Sequence, residues 1–213
     1  MNITVFGATG AIGRLTVIDL LNRGDTVTIH ARNPDKIPTD WEGRVKVVIG
    51  EVTDPTSIDK AIVDAEAVVS ALGPSMDKKT TGLPLVEGVR LITEAMRRHG
   101  IRRYIGHGTP SIADPQEKQT LQTRLIRFMG SHFLPRAYKE LVGMSELIMV
   151  DDLDWTIVRF TAPKNGEGTG RLRVGFYGAN RIGFAVTRAD IAHFTAEQAH
   201  SDTYVNRAPA ISS

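Results

Sequence analysis

Three glycines in the seven residues Gly7-Ala8-Thr9-Gly10-Ala11-Ile12-Gly13 have the spacing that a phosphate-binding turn requires. The apolar run Ile3–Phe6 leads straight into them, and a helical pattern follows. Gly7 permits a tight turn at positive φ. Gly10 removes the side chain where backbone must approach a phosphate, and Gly13 lets the next helix pack closely on its strand. The helix N-terminus then offers free N–H groups and a positive dipole end to an anion. Between a strand and a helix, within one βαβ unit, this turn predicts a cradle for the pyrophosphate of a dinucleotide.

A second run selects among dinucleotides. The next strand candidate ends Ile29-His30-Ala31-Arg32-Asn33. An acidic side chain there would accept from ribose hydroxyls, as NAD binding requires. An arginine instead suits the 2′-phosphate of NADP, which it can grip with two parallel N–H bonds. No carboxylate occurs between Asp25 and Asp35. The expected cofactor is therefore NADP (as NADPH) in preference to NAD, with Arg32 as chief selector and Lys36 as a weaker helper.

The elements that must position these residues alternate in type. Strand candidates are Ile3–Phe6, Thr26–His30, Val45–Ile49, Ala67–Ser70, Tyr104–His107 and Trp155–Arg159. They are nearly continuous apolar runs, as expected of strands buried on both faces. Helical patterns lie between them. Ile12–Arg23 is stopped by Gly24, a helix to about Val63 opens at Asp54-Pro55, and Gly82–His99 is the clearest amphipathic stretch. Leu121, Leu125, Ile126 and Met129 predict a further helix, broken by Gly130 and Pro135, and another runs from about Ala137 to Met149. After Arg159 the chain turns glycine-rich, which predicts hairpins and loops. Thr187 would cap a last helix, Arg188–Ala199. The pattern is α/β: a single-domain Rossmann fold over residues 1–213, a doubly wound, mostly parallel sheet with helices on both faces. Residues from about 160 onward would contribute a lid on the substrate side.

Composition excludes several functions. The chain has 213 residues and no cysteine, so it offers no disulfide, no thiolate nucleophile and no sulfur-ligated metal site; no metal is expected. A net charge of +2 is too small to imply a nucleic-acid partner. Basic residues bunch at Arg97, Arg98, His99, Arg102 and Arg103, and again at Lys118, Arg124, Arg127, Arg136 and Lys139. They lack interleaved aromatics and are expected on helix ends and solvated faces. No apolar stretch approaches the ~20 residues of a membrane span, and no secretory leader precedes Ile3, so the expectation is a cytoplasmic protein with no membrane partner. No oligomeric state is implied.

These segments together resemble the atypical short-chain dehydrogenase/reductases. The resemblance is closest to the small NAD(P)H-binding group that includes biliverdin-IXβ reductase/flavin reductase and NmrA-like proteins. It rests on Gly7–Gly13, His30-Ala31-Arg32-Asn33, Gly50-Glu51-Val52-Thr53-Asp54, Ser70-Ala71-Leu72-Gly73, Leu153–Arg159 and Arg188-Ala189-Asp190-Ile191-Ala192. It implies that Thr9, Ala11 and Ile12 border the pyrophosphate and that Glu51 and Val52 flank the adenine. Glu51 stands where members usually carry aspartate. Ala71, Leu72 and Gly73 would line the adenosine ribose and the nicotinamide side, and Ala162 and Pro163 would sit against the nicotinamide, with Asn165–Gly170 as the lid. Related enzymes place a serine after the fifth strand to bond the substrate oxygen; Thr109 aligns best with it, and Ser111 is close behind. His107 is either a buried structural histidine or a proton donor.

The catalytic Tyr-x-x-x-Lys of the larger family is missing. Tyr138 and Lys139 are adjacent, about 100° apart on a helix, and cannot cooperate that way. Lys139 with Glu146, two turns apart on one face, is nearer the lysine–glutamate pattern of the atypical group. Three readings follow: an NADPH-dependent reductase of a flavin, quinone or related carbonyl compound; a non-catalytic redox sensor of the NmrA-like type; and a nucleotide-sugar epimerase or dehydratase.

Overall fold

The computed structural model describes residues 1–75, 81–117, 120–150 and 152–213. Along the chain run β1 (Asn2–Phe6), α1 (Ala11–Asn22), β2 (Thr26–Ala31), β3 (Val45–Ile49), α2 (Pro55–Ile62), β4 (Ala67–Ser70), α3 (Pro84–Arg98) and β5 (Arg103–Gly108). Then come α4 (Leu121–Phe133), α5 (Pro135–Ile148), β6 (Asp154–Arg159), β7 (Ala162–Lys164), β8 (Arg173–Gly175), β9 (Ala185–Thr187), α6 (Arg188–Gln198) and β10 (Ala210–Ser212). The main sheet has the order β3-β2-β1-β4-β5-β6-β10-β8. Its first six strands pair in parallel, with Asn2 opposite Thr26 and Ile3 opposite Ala67. This is the doubly wound Rossmann order, in one domain.

Strand alternation feeds two cores. Ile3 and Val5 of β1 point to one face, where they join Val17 and Leu20 of α1 and Ile191 and Phe194 of α6. Phe6 points to the other, with Ile58, Ile92, Met96, Met144 and Ile148 of the opposite helices. Thr4 shares that second side and satisfies its hydroxyl on the Ala61 carbonyl, 2.6 Å away. Local signals set the helix starts. Asp54 accepts from the amides of Thr56 and Ser57 at 3.0 and 3.3 Å ahead of Pro55, and Thr187 caps α6 through the Asp190 amide at 3.0 Å.

Five sequence expectations are corrected. Val45–Ile49 is not buried on both faces: β3 is the sheet edge, and Val47 and Ile49 are exposed. The third helix begins at Pro84 rather than Gly82, because Gly82 sits at φ +69° outside it. Gly130 does not break α4, which continues to Phe133. A glycine inside a helix costs about 1 kcal/mol relative to alanine, and here it permits close packing. A Cβ at Gly130 would lie 3.2 Å from the Tyr138 ring and 3.5 Å from Ser111 Oγ. α5 starts at Pro135, two residues before expectation, with proline in the first turn where its missing N–H is harmless. Finally, the glycine-rich segment supplies few hairpins: β7 and β9 form a separate parallel pair, and β8 runs antiparallel to β10 at the sheet edge.

Arg97, Arg98 and Arg102 of the basic clusters lie on the surface, as expected, but Arg103 is half-buried and donates to the carbonyls of Asp154, Gln198 and Ser201, and Arg136 is half-buried against Glu140. Arg97 pairs with Asp152, Arg98 and His99 share Asp59, and Arg102 holds Asp154. Lys118 lies outside the described residues. Among the described residues no helix is long and apolar enough to cross a membrane, and no three metal-ligating side chains cluster.

Candidate functional site

Beyond the carboxyl ends of β1 to β4, where the strand order reverses direction, lies a cleft of about 390 Å³. Its floor is the glycine turn. Gly7 adopts φ +75°, and a Cβ there would lie 2.8 Å from the carbonyl of Ala71, so glycine lets the first turn stack directly on the turn after β4. Gly10 precedes α1 in an extended conformation with no side-chain cap, and no acidic residue occupies the first turn of α1. The N–H groups of that turn are therefore left for an external anion. A Cβ on Gly10 would meet only the Gly7 carbonyl oxygen, at 3.2 Å; its other side is open. A Cβ on Gly13 would collide with the Gly7 carbonyl, which is the close helix–strand approach expected of the third glycine. Turn and helix terminus fit a bound pyrophosphate.

One wall is built by β2 and the turn after β3. Arg32 lines the mouth, exposed and without an ion pair among the described residues. Lys36 does not line the cleft. Its carbonyl accepts from Arg14 Nη2 at 2.6 Å, while Arg14 Nε donates to the Thr9 carbonyl at 3.1 Å, so Arg14 ties the glycine turn to the loop after β2. His30 lies at this wall with Nε2 3.0 Å from Ser57 Oγ. The Ser57 hydroxyl donates to the Asp54 carbonyl at 3.1 Å, so Nε2 carries the hydrogen toward Ser57. Burial lowers the His30 pKa, and the ring is neutral at pH 7. Glu51 and Val52 complete the wall.

The opposite wall holds the expected Leu72 and Gly73 together with residues that sequence reasoning missed: Ser75, Pro84 and Leu85, and Arg136 and Glu140 of α5. Glu140 is fully buried and accepts from the Leu85 amide and from Arg136 Nη1, both at 3.2 Å. Arg136 Nη2 donates to the Ser75 carbonyl. A buried carboxylate thus fixes α3 against α5 and steers an arginine onto the loop after β4. Lys139 and Glu146, the pair expected here, are exposed and line no part of the cleft. The readable signal was Glu140 itself: with Met144 and Ile148 it recurs every four residues on the buried stripe of α5.

The remaining expected residues do not line this cleft. Thr109 and Ser111 are half-buried in the turn after β5, where Thr109 Oγ1 accepts from the Ser111 amide at 3.3 Å. Ala71 fixes the turn after β4 by donating its N–H to the Phe6 carbonyl, 2.9 Å away. Ile12 packs on the core, and Ala11 lines a separate cavity of about 340 Å³ between α1, Trp41 and Asn165. Ala162 and Pro163 are half-buried in β7. His107 sets Nε2 2.9 Å from Thr195 Oγ1, and that hydroxyl donates to the Ile191 carbonyl at 2.7 Å, so the imidazole is the donor. Burial pushes its pKa down to about 4. The ring is neutral at pH 7 and its one N–H is spent within the fold, which argues against a proton-donor role.

Buried carboxylates pin the loops around that turn. Glu117 receives the guanidinium of the fully buried Arg159 at 2.7 and 3.1 Å and also accepts from the Tyr177 amide. Arg159 Nη1 reaches the Ile112 carbonyl at 2.9 Å, directly beneath the Thr109–Ser111 turn. Asp190 accepts from the Thr169 amide and hydroxyl at 2.9 and 3.0 Å and from the Gly170 amide at 3.3 Å. Although burial opposes it, these bonds hold its pKa below the usual carboxylate range. The Arg188–Asp190 segment therefore anchors the 165–170 loop.

Comparison with known proteins adds to this geometry. A family model described as NAD(P)H-binding matches residues 7–202. A curated relative, the mitochondrial 40 kDa subunit of NADH-ubiquinone oxidoreductase from Neurospora crassa, is 30% identical over 122 residues. The match takes in 54% of this chain and 32% of that protein, so the chain spans about a third of the relative's length. Among solved structures, ChuY, an anaerobillin reductase from Escherichia coli O157:H7, superposes with a TM-score of 0.79 at 19% identity, over 100% of this chain and 97% of that one. A short-chain dehydrogenase/reductase from Veillonella parvula in complex with NADP gives 0.78 at 21% identity, over 100% and 94%.

Proposed function

This chain belongs to the NAD(P)H-binding family, and from that premise we propose that it is an NADPH-dependent reductase of a planar conjugated acceptor: a flavin, a quinone or a related carbonyl compound. The observation that carries the reading is the uncapped N-terminus of α1 opening on a cleft whose mouth presents an exposed Arg32, with no ion pair among the described residues. An anion at the helix end and a second phosphate at Arg32 together describe NADP better than NAD. The names of the E. coli and N. crassa relatives, an anaerobillin reductase and a subunit of a ubiquinone oxidoreductase, support a conjugated acceptor.

Bound NADPH would supply the hydride; the chain supplies position and polarity. Gly7, Thr9, Gly10, Ala11, Ile12 and Gly13 would hold the pyrophosphate, and Glu51 and Val52 would flank the adenine. Ala71, Leu72 and Gly73 would line the ribose, with Ala162 and Pro163 toward the nicotinamide. The hydroxyls of Thr109 and Ser111 would donate to the acceptor oxygen. The Arg136–Glu140 pair, rather than the exposed Lys139, would orient the wall beside the acceptor. Without a Tyr-x-x-x-Lys pair, rate enhancement would come mainly from alignment of donor and acceptor.

The test is NADPH oxidation followed in the presence of FMN and, separately, of a simple quinone. Turnover with either, faster than with NADH, supports the reading. Tight NADPH binding with neither acceptor reduced would replace it with a regulatory cofactor binder, and conversion of a nucleotide sugar without net NADPH use with an epimerase.

A further inference from the structure

We propose that α4 docks this protein on an anionic lipid surface through an apolar stripe that the fold leaves uncovered. Leu121, Leu125, Phe128 and Met129 recur at i, i+4, i+7 and i+8, the spacing of one helix face, yet they are 84, 59, 55 and 50% exposed. The buried side of α4 is the opposite one. Thr123 is buried there, and Gly130 sits against Tyr138 and Ser111. Phe133 and Leu134, also exposed, extend the stripe to the end of the helix. An apolar helix face in a globular chain ordinarily turns inward; this one turns out.

Charge decides what covers it. From Thr120 to Arg136 the sequence contains no Asp or Glu but holds Arg124, Arg127 and Arg136. Arg136 is engaged by Glu140 and the Ser75 carbonyl. Arg124 and Arg127 have no ion pair among the described residues, and Arg124 is exposed beside the stripe. The arginines of α3, in contrast, are compensated: Arg90 by Glu87 and Glu94, Arg97 by Asp152, Arg98 by Asp59. Arg124 thus sets an uncompensated cation beside uncovered apolar side chains, while Arg127, one turn after the buried Thr123, keeps its Nε buried on the other side. A helix of that composition lies in the plane of a membrane interface, its apolar side chains among the acyl chains and its cations on anionic headgroups. A second copy fits less well. A symmetric contact through the stripe would bring Arg124 of both copies together, with no carboxylate in the segment to neutralise them. The docking does not depend on the reductase reading.

The experiment is flotation of the full chain with vesicles of pure phosphatidylcholine and with vesicles in which roughly a third of the lipid is phosphatidylglycerol. Binding is expected to the anionic vesicles, far less to the neutral ones, and to weaken as salt rises from about 0.05 to about 0.5 M. The double substitution Leu125→Glu with Phe128→Glu should lower partitioning by roughly tenfold or more, because binding scales with the apolar area inserted. Arg124→Gln should weaken it more modestly. All three positions are exposed, so folding and NADPH binding should be unchanged; circular dichroism and a cofactor titration check that. Three outcomes overturn the proposal: no binding to anionic vesicles, equal binding to neutral ones, or indifference to the double substitution. A concentration-dependent dimer in sedimentation velocity, abolished by the same double substitution and unaccompanied by vesicle binding, assigns the stripe to a second copy instead.

Discussion

Arg32→Ala isolates the 2′-phosphate reading, because the free protein gives it so little to disturb. The side chain is exposed and makes no ion pair among the described residues, so its removal should change stability by no more than about 0.5 kcal/mol. In the complex the guanidinium would meet a dianionic phosphate through charge-assisted, two-pronged bonds worth roughly 1.5–3 kcal/mol. The site stands open to water at the cleft mouth, which favours the lower half of that range. The dissociation constant for NADP should then rise about tenfold to thirtyfold, since each 1.4 kcal/mol or so is a factor of ten. NAD, which lacks the phosphate, should shift by less than about twofold if only that bond is lost. Isothermal titration of both cofactors against both proteins reads the difference directly. Repeating it at about 0.05 and about 0.5 M salt should shrink the wild-type preference, because an exposed ion pair is screened. Arg32→Lys should fall between, keeping the charge without the planar fork. Equal losses for NADP and NAD, or an unchanged preference for NADP, would refute Arg32 as the selector.

Three further outcomes follow from the same geometry. A Cβ at Gly73 meets nothing within 4 Å, whereas one at Gly13 strikes the Gly7 carbonyl. Gly73→Ala should therefore keep wild-type stability in urea yet weaken NADPH binding, while Gly13→Ala should cost roughly 1–3 kcal/mol and lose the cofactor; undiminished NADPH affinity in Gly73→Ala would remove that residue from the site. Glu117→Ala strands the fully buried Arg159 and should destabilise the fold by about 3–5 kcal/mol in chemical denaturation; a loss below about 1 kcal/mol would show the pair to be dispensable. His107 has a folded pKa near 4, below its unfolded value of 6.5, so on acidification the unfolded chain takes up a proton before the native one does. Its contribution is therefore full above about pH 6.5 and declines toward pH 4, by at most about 3 kcal/mol. His107→Gln should flatten that part of the stability profile relative to wild type, and an identical profile would mean that His107 titrates alike in both states.

Much of the cofactor side was legible because it is built from local backbone demands. Gly7 and Gly13 are where positive φ and close approach leave no alternative to glycine, and both constraints act within a few residues. Asp54 and Thr187 announce their helices for the same reason: a cap bonds amides two or three positions away. The side that the proposed function gives to the acceptor was less legible because its contacts are long-range. Glu140 serves an amide 55 residues earlier, and Glu117 serves an arginine 42 residues later. Nothing local marks either carboxylate except its place among apolar neighbours. The helix α4 was legible from its apolar spacing, but the side that its stripe faces was not. Period 3.6 reports that one helix side is apolar but not whether that side turns inward, and the packing of Gly130 on Tyr138 and Ser111 sets the opposite orientation.

That division has a physical consequence for how the two halves of the site can vary. On the cofactor side, the glycine turn is shaped by the absence of side chains, and an added Cβ meets backbone at Gly7 and Gly13. On the acceptor side, loops are held by carboxylates that gather scattered donors: Asp190 holds Thr169 and Gly170, Asp114 holds Arg207 and the Ala208 amide at 2.7 Å, and Glu117 holds Arg159 and Tyr177. A carboxylate accepting several N–H bonds fixes a loop at its base and leaves the tip free in sequence. Residues 165–168, between the β7 edge and the Thr169 anchor, and the turn carrying Thr109 and Ser111 are such tips. Substitutions there can reshape an acceptor pocket without touching the sheet, whereas the glycine turn tolerates almost none. The phosphate-binding turn of this chain is thus constrained by its backbone, whereas the loops that the proposed function sets beside the acceptor are constrained by the carboxylates that pin them.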